Sequence, residues 1–305
     1  MTMDWTGVIP AVTTPFHEDL SIDHDSFAAH CRWMRESGCT GVVALGSLGE
    51  GGSLTLEEKA ALLATAVRAA GGRMPVAAGV SALTTAEAVK IARAAYEAGC
   101  GGLMVLPPYV YSGDWREMKA HVSAVLRATP LSSMLYNNPI AYKTDFTPEQ
   151  VAELLEEHEN LHAIKESSAD VRRIAALRAL VPEGRLRILP GVDDLIVESV
   201  AAGAEGWIAG LANAFPKESV ELFGLARAGR QREAFALYRW FLPLLRLDTV
   251  PKFVQLIKLA QQVTGRGSER VRPPRLPLAG PERERAVALI ESAAASHPAP
   301  AEASE

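Results

Sequence analysis

The chain has 305 residues, 48% of them hydrophobic, and a formal net charge of -5. This composition builds a large core and leaves no basic footprint for nucleic acid or an acidic membrane surface, and no apolar run is long enough to span a bilayer. Three cysteines, Cys31, Cys39 and Cys100, show neither CxxC spacing nor the even count of a disulfide framework. They read as reduced, mostly buried thiols. The opening stretch, MTMDWTGVIPAVTTPF, has no basic region followed by an apolar segment, so a soluble, cytoplasmic protein is expected.

Taken in chain order, short apolar runs recur at 7–13, 40–46, 75–80, 101–107, 131–137, 161–166, 185–191 and 206–210. Helical patterns separate them. SLTLEEKAALLATAVRAA opens with a hydroxyl residue and a following glutamate, the signature of an N-terminal cap. TPEQVAELLEEH places Thr147 as N-cap and Pro148 at the first helical position. Eight strands, each followed by a helix, predict a parallel (β/α)₈ barrel over 1–228; a doubly wound sheet is the alternative that periodicity alone leaves open. Beyond residue 230 the strand pattern stops, and three further helical patterns predict a C-terminal helical extension over 229–296. The final segment, 297–305, is rich in Pro, Ala and Glu and reads as a disordered tail.

In such barrels the chemistry lies at the C-terminal ends of the strands. The sixth strand, LHAIKE, ends on Lys165, with Ala163 on the same face. An arbitrary lysine snorkels to solvent or pairs with an acid, here Glu166 or Asp193. In a partly desolvated barrel mouth, however, its ammonium is disfavoured, and the free amine can condense with a ketone to form a Schiff base. Such chemistry needs a proton shuttle, and Tyr136 ends the adjacent strand. It also needs an anchor for the substrate: the turn GSLGE after the second strand, with Gly46 and Gly49 flanking Ser47 and Leu48, offers backbone N–H groups to a carboxylate. The turn matches neither nucleotide-binding glycine pattern. The seven histidines form no HExxH pair, and in GVDD the carboxylates Asp193 and Asp194 read as a helix cap rather than a Mg²⁺ site. No metal and no cofactor is expected.

GSLGE, YNNP and IKES, in this order near the ends of strands two, five and six, resemble the N-acetylneuraminate lyase/dihydrodipicolinate synthase superfamily. GVIPAVTTPF, GVDD and GWIAGLAN extend the resemblance over roughly residues 5–265. It implies a class I, Schiff-base-forming barrel, commonly a homotetramer, acting on a small 2-oxo acid or imine. Lys165 then resembles the Schiff-base lysine, Tyr136 the relay tyrosine and Ser47 the hydroxyl residue beside the substrate carboxylate. Ile208 resembles the residue whose backbone lines the pyruvoyl pocket, and Asn138 falls among the substrate-binding positions.

The departures bear on the reaction. The synthases usually carry a second hydroxyl where Leu48 stands, and an arginine for the aldehyde substrate's carboxylate where Ala141 stands. Their strand-four loop supplies a second relay tyrosine across a subunit contact; ungapped, that position is Val110, flanked by Tyr109 and Tyr111. These differences favour the branch that removes water or ammonia from hydroxylated 2-oxo acids or cyclic imines, resembling pyrroline-4-hydroxy-2-carboxylate deaminases. The alternatives are a synthase or aldolase of the same fold, and a non-catalytic barrel that senses a keto acid.

Overall fold

A computed structural model describes residues 1–109 and 111–296. Val110 and the expected tail at 297–305 lie outside the described residues. Eight strands follow in chain order: β1 (Gly7–Pro10), β2 (Val42–Ala44), β3 (Val76–Val80), β4 (Gly102–Val105), β5 (Ser132–Asn137), β6 (Leu161–Glu166), β7 (Arg187–Pro190) and β8 (Gly206–Ala209). Strands β2 to β7 pair in sequence order, and β1 pairs with β8, every pair parallel. The two sheets are stitched into one ring. Ala11 bridges Val43 beyond the end of β1, and the Glu205 amide donates to the Ile188 carbonyl at 3.0 Å between β7 and β8. The strands are buried almost throughout, as a parallel sheet wrapped by helices requires.

Two helices begin where the capping chemistry placed them. Thr55 and Glu58 form a reciprocal capping box at helix Leu56–Ala70, and Thr147 does the same with Gln150 at helix Pro148–Glu157. After the barrel come helices Gln231–Leu245, Phe253–Val263 and Gly280–Ala295. The extension is fastened to the barrel mouth by a buried ion pair, Lys258 Nζ to Glu50 Oε1 at 2.6 Å. The Arg272 amide donates to the other oxygen of Glu50 at 2.9 Å. Because Glu50 closes the GSLGE turn, these contacts fix the turn against the extension; a charge left alone at such depth costs about 3–5 kcal/mol. Among the described residues no helix is long and apolar enough to cross a membrane, and the three cysteines are free and buried.

Candidate active site

Strand pairing builds the centre of the site. Tyr136 on β5 stands in register with Lys165 on β6, so the same pleat directs both side chains. Lys165 is 7% exposed, and its Nζ lies 4.1 Å from the centroid of the Tyr136 ring. Burial lowers the Lys165 pKa from its ordinary value; Asp248, Tyr142 and Asp193 pull the other way. Burial also pushes the Tyr136 phenol up to about 12, against the Asn138 amide, which donates to its hydroxyl at 3.0 Å. Space for the lysine comes from Gly191, after β7: a β-carbon there would overlap Lys165 Cε and the Ser167 hydroxyl.

Ser47 comes from the turn after β2. Leu45 and Glu50 at its ends, with Lys143 after β5 and Ala169 after β6, hold positive φ without being glycine. Backbone strain of this kind gathers at functional mouths. Within the turn, the Glu50 and Gly51 amides donate to the carbonyls of Ser47 and Gly46. The N–H groups of Ser47 and Leu48 have no acceptor among the described residues, which leaves them available to an anion. Leu48 is buried.

Tyr142 was not singled out from the sequence, and it joins the two halves. Its hydroxyl hydrogen-bonds the Ser47 hydroxyl. Its ring stands edge-on to Tyr136, centroids 5.7 Å apart, and its hydroxyl is among the polar groups beside the Tyr136 hydroxyl. On its outer side it meets Tyr109, again at 5.7 Å, which receives a bond from Ser81 at 3.2 Å. The local cause lies in YNNP: Asn138 caps a single helical turn, Pro139–Tyr142, accepting from the Ala141 amide at 2.9 Å. That turn brings the chain back over the mouth. The cap and the proline at the first helical position were the available signal.

The remaining expected residues fall in two places. Ile208 is buried on β8, paired with Ile9. Tyr111 is 59% exposed and Ala141 is also exposed. Together with Tyr109, Tyr142 and Lys143 they line an outer recess of about 300 Å³, which Lys165 does not line. Asp193 corrects the sequence reading. It caps no helix of its own; its carboxylate accepts from Trp207 Nε1 at 2.9 Å and from the Gly210 and Leu211 amides, tying the loop after β7 to that after β8. Burial still lifts its pKa to about 6. Glu166 is likewise engaged, by the Asn137 amide at 3.0 Å and the Ser168 N–H at 2.7 Å, and so serves the loops rather than the lysine.

Fold and site together define a parallel (β/α)₈ barrel with a buried lysine at the C-terminal end of its sixth strand, flanked by tyrosine. The chain belongs to the dihydrodipicolinate synthetase family, whose model matches residues 4–293. A 4-hydroxy-tetrahydrodipicolinate synthase of an Exiguobacterium species is 35% identical over 274 residues, covering 90% of this chain and 92% of the relative. The enzyme of the same description from Agrobacterium fabrum is 31% identical, covering 92% and 95%. Among solved structures, YagE, a prophage protein of the dihydrodipicolinic acid synthase family from E. coli K12 in complex with pyruvate, superposes with a TM-score of 0.89 at 28% identity, covering 95% and 99%. The 4-hydroxy-tetrahydrodipicolinate synthase of Methylacidiphilum fumariolicum superposes at 0.91 with 27% identity, covering 96% of each chain. The family expectation and the barrel are thus shown. Both of these curated relatives carry the synthase name, not that of the deaminase branch the sequence favoured.

Proposed function

We propose that this chain is a cytoplasmic, homotetrameric lysine Schiff-base lyase acting on a small 2-oxo acid or cyclic imine carboxylate, and that it eliminates water or ammonia from a hydroxylated substrate. The observation that carries the class is Lys165, desolvated against Tyr136 at the strand ends. Desolvation raises the fraction of free amine, the form that attacks a carbonyl or imine carbon. The substrate carboxylate would rest on the free N–H groups of Ser47 and Leu48. The protons exchanged as bonds to C2 form and break pass through Tyr136, and the hydroxyls of Tyr142 and Ser47 continue the path within one chain. In this reading Tyr142 takes the part that the family's strand-four loop gives to a tyrosine from a neighbouring subunit.

Attack of Lys165 on C2 of a cyclic imine opens the ring. Loss of a proton from the adjacent carbon expels the hydroxyl, and hydrolysis releases a keto acid semialdehyde and ammonia. The elimination branch is supported by Ala141, which gives the mouth no guanidinium fork for a second carboxylate. The synthase reading has its own support in the names of the relatives. A panel comparing kcat/KM for pyruvate plus aspartate semialdehyde with that for 4-hydroxy cyclic imine carboxylates and hydroxylated 2-oxo acids separates the two. Elimination should dominate. Efficient condensation without release of water or ammonia from the hydroxylated compounds would restore the synthase.

A further inference from the structure

KESS carries a hydroxyl whose use the fold alone does not explain. Ser167 follows β6, two residues after Lys165, in the loop before helix Arg172–Leu180. Both neighbouring strands hold this segment. The Ser167 amide donates to the Asn137 carbonyl on β5 at 2.8 Å, and the Gly191 amide, after β7, donates to the Glu166 carbonyl at 2.9 Å. Ser167 is 1% exposed, and its hydroxyl has no hydrogen-bond partner among the described residues. Its neighbours in the motif are engaged: Glu166 by Asn137, and the Ser168 hydroxyl by the Asp170 amide at 3.3 Å. A hydroxyl rotates to find a partner, so one left alone at this depth is costly unless a ligand answers it.

Contact places this hydroxyl beside the lysine. A β-carbon on Gly191 would lie 2.2 Å from Lys165 Cε and 2.2 Å from Ser167 Oγ. The two atoms are therefore no more than about 4.4 Å apart, which is side-chain contact. The absent side chain of Gly191 leaves them one shared space, and Cε is the carbon that carries the amine. The Ser167 hydroxyl is also among the polar neighbours of the Tyr136 hydroxyl, without completing a bond to it. Tyr136 already has Asn138 as a donor. Ser167 is the hydroxyl near both groups that has its donor and its acceptor sites free.

We propose that Ser167 is a further catalytic residue of the Lys165 site: its hydroxyl meets the C2 oxygen of the substrate and passes protons to it as the carbinolamine forms and loses water. This inference rests on the Schiff-base reading of Lys165 and deepens it. From lysine ammonium and ketone to protonated imine, nitrogen gives up two protons and keeps one. The C–N bond forms, the ketone oxygen collects those two protons, and the C–O bond breaks to release one water. The positive charge stays on nitrogen. Direct transfer from nitrogen to the oxygen on the adjacent carbon is cramped. A hydroxyl accepts one proton as it gives up another, so Ser167 relays each of them without becoming charged.

The test uses the full chain, its Ser167→Ala variant and subsaturating pyruvate. Protein and pyruvate are mixed and quenched with borohydride at increasing times, and the reduced adduct is counted by intact mass. Melting curves accompany both proteins. Ser167→Ala should form the imine about 10²-fold more slowly than wild type. It should still reach the same adduct fraction at long times, because a proton relay speeds formation and hydrolysis alike. It should melt no lower than wild type, since alanine removes a buried polar atom that has no partner. Ser167→Cys, which keeps the shape but donates weakly, should be slowed as well and serves if the alanine variant does not fold. An unchanged rate of imine formation in the folded variant overturns the assignment while leaving the Schiff base intact. A lower final adduct fraction together with a lower melting temperature also overturns it, because Ser167 would then only support the pocket. Failure of wild-type Lys165 to form any adduct with pyruvate would instead bring down the underlying reading.

Discussion

Lys165→Met should abolish turnover and at the same time raise the melting temperature at neutral pH. The loss of kcat is expected on the order of 10⁴–10⁶-fold, the scale seen when a covalent nucleophile is removed. The gain in stability follows from linkage. Burial lowers the folded-state pKa of Lys165 below its ordinary value of 10.5, so the unfolded chain binds more protons and folding is penalised while the unfolded lysine is charged. That penalty is fullest below the folded-state pKa, shrinks as pH rises through it, and is gone above 10.5. Methionine keeps most of the stem volume without the amine. The melting difference between the two proteins should therefore narrow from neutral pH toward pH 10.5. A variant that melts lower than wild type at neutral pH, or retains turnover, contradicts the role given to burial.

Tyr136→Phe should lower kcat by about 10²–10⁴-fold with KM less affected, the range for a positioned acid–base group. The ring that covers Lys165 is retained, and the bond from Asn138 that is lost is worth about 0.5–1.5 kcal/mol. Tyr142→Phe should also be impaired, because the hydroxyl chain to Ser47 is cut. Combining the two changes should cost less than the product of the single effects, since both interrupt one path. Steady-state kinetics on the two single variants and the double variant make the comparison. Full additivity would mean that Tyr142 acts independently of the relay, and near-normal kcat for Tyr136→Phe would return that residue to a packing role.

Much of this site could be read from the chain because it sits at strand ends. Lys165 and Tyr136 close apolar runs, and Ser47 lies in a glycine-flanked turn; period-two alternation is enough to aim them at one mouth. Tyr142 depends instead on how the backbone leaves β5. One capped turn, Asn138 to Tyr142, returns it over the pocket, and strand periodicity carries no information about that return. Asp193 shows the opposite case: an acid beside a helical turn, read locally as its cap, bonds instead to two amides and an indole contributed by the next strand and its loop.

Lys165 should form a covalent bond with a 2-oxo acid. Incubation with pyruvate and borohydride, followed by intact-mass measurement and peptide mapping, tests it most directly. Irreversible loss of activity and one reduced pyruvoyl adduct per chain, located on Lys165, are expected. An adduct on a different lysine, or no adduct under conditions where a 2-oxo acid is turned over, would contradict it.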